Sequence, residues 1–144
     1  MALMVVLFIV FAVVVVSMGI LSRSDMALAS GRNLCLRNQS DYLAWAGLEH
    51  ARAYIQSYGQ TALREPNTFP RTLTSLMLDA EGKCDYKVAI ASVQKTDPNI
   101  YTYETTSEAW YGLETDKQAR SMLYADIVYD PNDGTAIFSS IRRQ

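Results

Sequence analysis

With 144 residues and a net charge of −2, the chain has room for one domain and carries too little positive charge for a nucleic-acid-binding surface. Its largest basic cluster is the terminal Arg142-Arg143. Cys35 and Cys84 show neither a CxxC pair nor Cys/His spacing, which excludes a recognisable metal-ligand motif.

The N-terminal stretch dominates the chain. From Met1 to Val16 every residue is apolar, and the first charged side chain is Arg23. As an α-helix, Met1 to Ser22 rises about 33 Å, roughly the thickness of a bilayer's hydrocarbon core. A secretory signal would have a shorter apolar region, preceded by basic residues. Here no basic residue precedes the run, and Arg23 and Asp25 separate it from the small-residue tripeptide Ala27-Leu28-Ala29. The segment therefore reads as retained, and the missing basic start suggests that a short leader has been lost. Val13 to Val16 are four β-branched residues in a row, followed by Ser17, Gly19, Ser22 and Ser24. Extension or fraying is expected between Val13 and Ser24 in water, and helix in lipid.

No proline interrupts Ser24 to Tyr58, where polar and apolar residues interleave at helical spacing. In one stripe Leu34, Ala44, Leu48, Ala51, Ile55 and Tyr58 are placed to bury against a globular domain, whereas Arg37 and Asp41 are too polar for a coiled-coil seam. Helix-sheet packing is assigned to Leu48, Ala51, Ile55 and Tyr58. Gly59 supplies a stop, and Gln60 to Thr74, with Pro66 and Pro70, reads as an irregular connection. Ser75 to Ala80 reads as a helical turn broken by Gly82. Period-two alternation then marks a strand at Tyr86 to Val93, followed by strands at Ile100 to Trp110, Ala119 to Tyr129 and Ala136 to Ile141. Gly112 to Lys117 and Asp130-Pro131-Asn132-Asp133-Gly134 are turns.

The expected fold is α+β: one long N-terminal helix whose hydrophobic half protrudes and whose amphipathic half packs on a four-stranded antiparallel sheet. Residues 1–22 form the hydrophobic segment and 23–144 the globular domain, with helix to about residue 58, a connection over 59–82 and the sheet over 83–144. The simplest use of Cys35 and Cys84 is a disulfide, which by closing a loop of roughly 50 residues contributes about 4 kcal/mol. Two separate buried thiols are the alternative.

Candidate chemistry is sparse. His50 is the single histidine, and Glu49-His50 beside Arg52 reads as a helix-sheet or solvated contact rather than a catalytic group. Asp130, Asn132 and Asp133 before Gly134 could ligate calcium, but turn formation explains them without the full twelve-residue calcium pattern. Asn38-Gln39-Ser40 matches a glycosylation sequon. The nine tyrosines, with Trp45 and Trp110, are expected to pack the sheet and subunit contacts. No enzyme activity, metal or cofactor is expected.

An uncharged apolar start running without a break into an amphipathic helix and then a small antiparallel sheet resembles a mature type IV pilin or pseudopilin. The passage Asp41-Tyr42-Leu43-Ala44-Trp45-Ala46-Gly47-Leu48-Glu49-His50-Ala51-Arg52 is similar to the region where the first helix meets the sheet in pilin-like proteins. The resemblance implies a basic leader removed by a prepilin peptidase and methylation of the new terminus, Met1. It implies a subunit held in the bacterial inner membrane with its C-terminal domain in the periplasm, then transferred by assembly machinery into a cell-surface filament. The filament core would be built from Met1, Leu3, Val5, Val6, Phe8, Ile9, Phe11 and Val13, and the principal partner would be other copies of the chain. Val5 stands where the family usually has a glutamate, a departure associated with minor subunits. A kink proline near Ser22 is also absent. The alternatives are a minor pseudopilin of a type II secretion system and a single-pass membrane-anchored periplasmic binding module.

Overall fold

A computed structural model describes residues 2–62, 71–74, 84–97, 100–113 and 116–143. One α-helix, α1 (Ala2–Ala62), is followed by five strands: β1 (Arg71–Thr74), β2 (Cys84–Asp97), β3 (Ile100–Leu113), β4 (Asp116–Asp130) and β5 (Thr135–Arg143). The chain forms two compact units, Met1–Cys35 and Leu36–Gln144.

The first unit is helix alone. Its backbone is helical through Val13 to Ser24, the conformation expected of that stretch in lipid. Ser17 Oγ donates to Val13 O at 2.8 Å, which absorbs the hydroxyl within the helix's own backbone. The neighbouring valines are compatible with a helix once a single χ1 rotamer is adopted.

In the second unit the remainder of α1 lies on a five-stranded antiparallel sheet of order β1-β2-β3-β4-β5, a continuous meander. The α+β layout of long helix and antiparallel sheet is as expected, but the sheet has five strands rather than four. β1 falls within the stretch read as an irregular connection. It has four residues, three of them exposed, so no alternation marks it; it pairs with β2 from Arg71↔Ile90 to Thr74↔Lys87. The helix also passes Gly59 and continues to Ala62. The helical turn expected at Ser75 to Ala80 lies outside the described residues.

At the β3-β4 connection the strands reach closer to one another than the turn assigned to Gly112–Lys117, pairing Leu113 with Asp116. Gly112 has φ 106°, and the register shifts between Tyr111 and Gly112. The glycine thus serves a bulge inside the ladder, where a side chain would be strained. The turn expected at Asp130 to Gly134 is present: Asn132 N donates to Asp130 Oδ1 at 2.8 Å, and Gly134 has φ 64°.

The core is built from one helix face and one sheet face. Ser40, Ala44, Gly47, Leu48, Ala51 and Ile55 recur at helical spacing and are buried. They meet alternate residues of the strands: Val88 and Ile90, Tyr103 and Ala109, Leu123, Ala125 and Ile127, and Ala136. Thr105, also buried, donates Oγ1 to Ala125 O at 2.8 Å and so carries no unsatisfied hydroxyl into the core. The helix lies close against the sheet at Gly47. A Cβ there would press into Ser107 Oγ and stand 2.9 Å from Val88 Cγ2 and 3.1 Å from Tyr86 Cδ2. The opposite sheet face carries ion pairs, Arg120 with Glu108 at 2.9 Å and Arg142 with Asp126 at 3.2 Å.

Two outcomes follow from this packing. Gly47→Ala gains helix propensity of up to about 1 kcal/mol but overpacks the contact at a cost of about 1–3 kcal/mol. A lowered urea midpoint of the detergent-solubilised chain is the expected result. Burial, followed by the proximity of Tyr129 and Tyr101, pushes the Tyr103 phenol up to about 12 from its ordinary 10.0. The folded chain then keeps a proton that the unfolded chain releases, so this stabilisation is intact below the unfolded value and is lost as pH rises toward the folded one. Tyr103→Phe should flatten the alkaline fall in unfolding midpoint.

Candidate functional surface

The feature that sets this chain apart is the surface of the first unit. Leu3, Val5, Val6, Phe8, Ile9, Phe11 and Val13 are all exposed, from 56% at Ile9 to 82% at Leu3; Met1 lies outside the described residues. No side of the segment is polar, so no rotation about its axis can present a water-compatible face. Isolated exposed leucines are ordinary on a protein surface, whereas a continuous apolar helix is not. It requires an apolar surround, and α1 contains a segment long and apolar enough to cross a membrane. The first charges along it are Arg23 and Asp25.

In the second unit the structure distributes the sequence-assigned residues unevenly. Leu48, Ala51 and Ile55 are buried against the sheet. Tyr58, assigned to the same packing, is instead 55% exposed. It keeps the helical phase of that face, but its ring stacks on Tyr54 with centroids 4.9 Å apart. Of the two tryptophans, Trp110 is buried and Trp45 is 43% exposed.

The disulfide expected between Cys35 and Cys84 is absent from this structure. Cys35 is exposed on α1. Cys84 is half-buried at the start of β2. Sequence spacing fixes the loop between two cysteines but not the direction of their Cβ bonds.

The polar candidates are engaged in packing. His50 Nδ1 lies 3.1 Å from Tyr86 OH, with the rings edge to face at 6.0 Å. The Tyr86 phenol is raised above its ordinary value, first by burial and then by the Asp85 carboxylate. Arg52 pairs with Glu49 at 2.8 Å and places its guanidinium 5.7 Å from the centroid of Phe138. Asp130 is occupied as the acceptor of its turn, and among the described residues no three His, Cys, Asp or Glu side chains are grouped to hold a metal. In the sequon, Asn38 is exposed but Ser40 is buried, its Oγ donating to Leu36 O at 2.9 Å. The hydroxyl that a glycosylating enzyme would engage is therefore turned inward.

Sequence reasoning missed one contact. Arg143 donates Nη2 to both Asp41 carboxylate oxygens, at 2.6 and 2.7 Å, tying the end of β5 to α1. Asp41 had stood out only as a polar intrusion in an apolar stripe, and Arg143 only as part of a terminal basic pair. Comparisons with models of protein families, with curated proteins and with solved structures find no match for this chain.

Because the clamp is partly solvated, its loss should cost only about 0.5–1 kcal/mol. Asp41→Asn is expected to accelerate hydrogen exchange at Ile141 to Arg143, with little change at β2 and β3, and added salt should shrink the difference.

Proposed function

We propose that this chain is a structural subunit of a type IV pilus-like filament and polymerises through its N-terminal hydrophobic helix. One observation carries the reading: an all-round apolar helical segment continues without interruption into a helix whose other end has a single buried face, already satisfied by its own sheet. The second unit thus has its own core, and the first has none. A segment of this kind is at home in two surroundings, lipid before assembly and sister helices afterwards.

In this reading the chain waits in the bacterial inner membrane with the helix-sheet unit in the periplasm, and joins a cell-surface filament with the help of assembly machinery. A prepilin peptidase would remove a leader and leave Met1 as the methylated terminus. Val5 fits an apolar core without the cost of burying an unpaired carboxylate there. It is also the residue that favours a minor over a major subunit. The chain needs no cofactor for this role.

The experiment is cysteine crosslinking in surface filaments sheared from cells, using Val6→Cys and Val13→Cys in a Cys35→Ser, Cys84→Ser background. Helix-to-helix crosslinks between chains are expected in the filament fraction. A single-pass membrane-anchored binding module would leave the chain in the membrane fraction, uncrosslinked, and would overturn the reading.

A further inference from the structure

Much of the charge in the Leu36–Gln144 unit is neutralised within it: Asp41, Glu49, Glu108 and Asp126 are each paired with an arginine. One opposite pair of charges stands outside this scheme. Arg71, exposed on β1, holds its guanidinium carbon 4.6 Å from the centroid of Tyr54, and Tyr54 in turn stacks on Tyr58. Stacking occupies a face of the planar guanidinium and leaves its N–H rim free for a carboxylate. Arg71 has no ion-pair partner among the described residues. Asp133, exposed in the β4-β5 turn, has neither an ion-pair nor a hydrogen-bond partner among them. That turn is stiff, fixed by the Asp130 side chain and by Gly134 at φ 64°. The two charges are too far apart to meet within one chain. In the order β1-β2-β3-β4-β5, Arg71 lies on one edge strand, whereas Asp133 connects β4 to the other. Three inter-strand spacings, about 14 Å, separate β1 from β4, against the roughly 4 Å of an ion pair.

We infer that Arg71 of one copy binds the Asp133 turn of the next, so that helix-sheet units associate sheet edge to sheet edge. The inference rests on the filament reading and adds to it a polar contact outside the apolar helices. Charge complementarity selects a second copy as the occupant: every chain carries both halves of the contact, on opposite edges of its sheet. Tyr58 completes the docking surface. It is 55% exposed although it keeps the phase of the buried helix face, and a turn seated on Arg71 would cover its ring. Tyrosine and arginine are also the side chains that most often anchor protein interfaces. With all copies oriented alike, as insertion in one membrane dictates, each gives Arg71 to one neighbour and Asp133 to the other. The contact is therefore heterologous and extends into a row instead of closing as a pair. Its role is to fix which edges meet, since a contact of this kind contributes more to specificity than to affinity.

The test uses sheared filaments of the full-length chain. In filaments of Arg71→Lys, a zero-length reagent that joins amines to carboxylates should give a ladder of dimers, trimers and longer products. Mass spectrometry should place the new amide between position 71 of one chain and position 133 of another. In parallel, R71E alone and D133R alone should each reduce filament yield by about tenfold, and the double exchange should restore it to within about twofold. Urea midpoints and membrane insertion, expected to match those of the unaltered chain, are the controls for folding. A ladder that stops at the dimer, amides from position 71 solely to other carboxylates, or a double exchange no better than the single ones overturns the edge contact. Val6→Cys and Val13→Cys crosslinks between chains then leave the filament reading standing. If those crosslinks are also missing and no filaments are recovered, both fall together.

Discussion

The large apolar side chains from Leu3 to Leu21 are all exposed, and the organisation of the chain follows from that exposure. A helix that is apolar on every side cannot be stabilised by water on any of them. Lipid satisfies it, and so does a ring of similar helices. In lipid the backbone hydrogen bonds must be kept, which favours an unbroken helix through Val13 to Ser24 despite the poor helix propensity of that stretch in water. Ser17, the polar group in the middle of the run, bonds back to Val13 and adds no demand of its own.

The Leu36–Gln144 unit solves the opposite problem. Its helix has one buried face, narrow because small residues let the backbone approach the sheet. Gly47 faces Ser107 and Val88, Ala44 and Ala51 are buried beside it, and Leu48 and Ile55 supply the bulk. The remaining helix surface stays exposed, with Tyr42 and Trp45 among its larger members. The sheet's other face is kept in water by cross-strand ion pairs. Such pairs add little to stability at an exposed site, but they oppose unwanted stacking of the sheet face on itself. The edge strand β5 is broken by a bulge opposite Asp126 and Ile127 and ends in two arginines, both held by carboxylates, which blunts it as a template for pairing.

Much of this was legible in the residues. The uninterrupted apolar run, the helical stripe containing Leu48, Ala51 and Ile55, and the alternation at Tyr86, Val88 and Ile90 each carry a periodicity that survives folding because burial imposes it. What escaped detection lacks such a signal. β1 is a short strand with one half-buried residue, Leu73, so pairing rather than burial defines it. Tyr58 has the right phase but stacks on a neighbour in the same helix. The Asp41-Arg143 clamp joins positions 102 residues apart. Gly112 looked like a turn and is a bulge, since both use the same positive φ.

The surround of the apolar helix is the point on which everything else turns. Antibody to the helix-sheet unit, applied to filaments sheared from cells and followed by reconstruction of their density, measures it directly. The expected result is decorated filaments whose core is packed helices from many copies. Recovery of the chain solely from the membrane fraction, with every apolar helix surrounded by lipid, would contradict it.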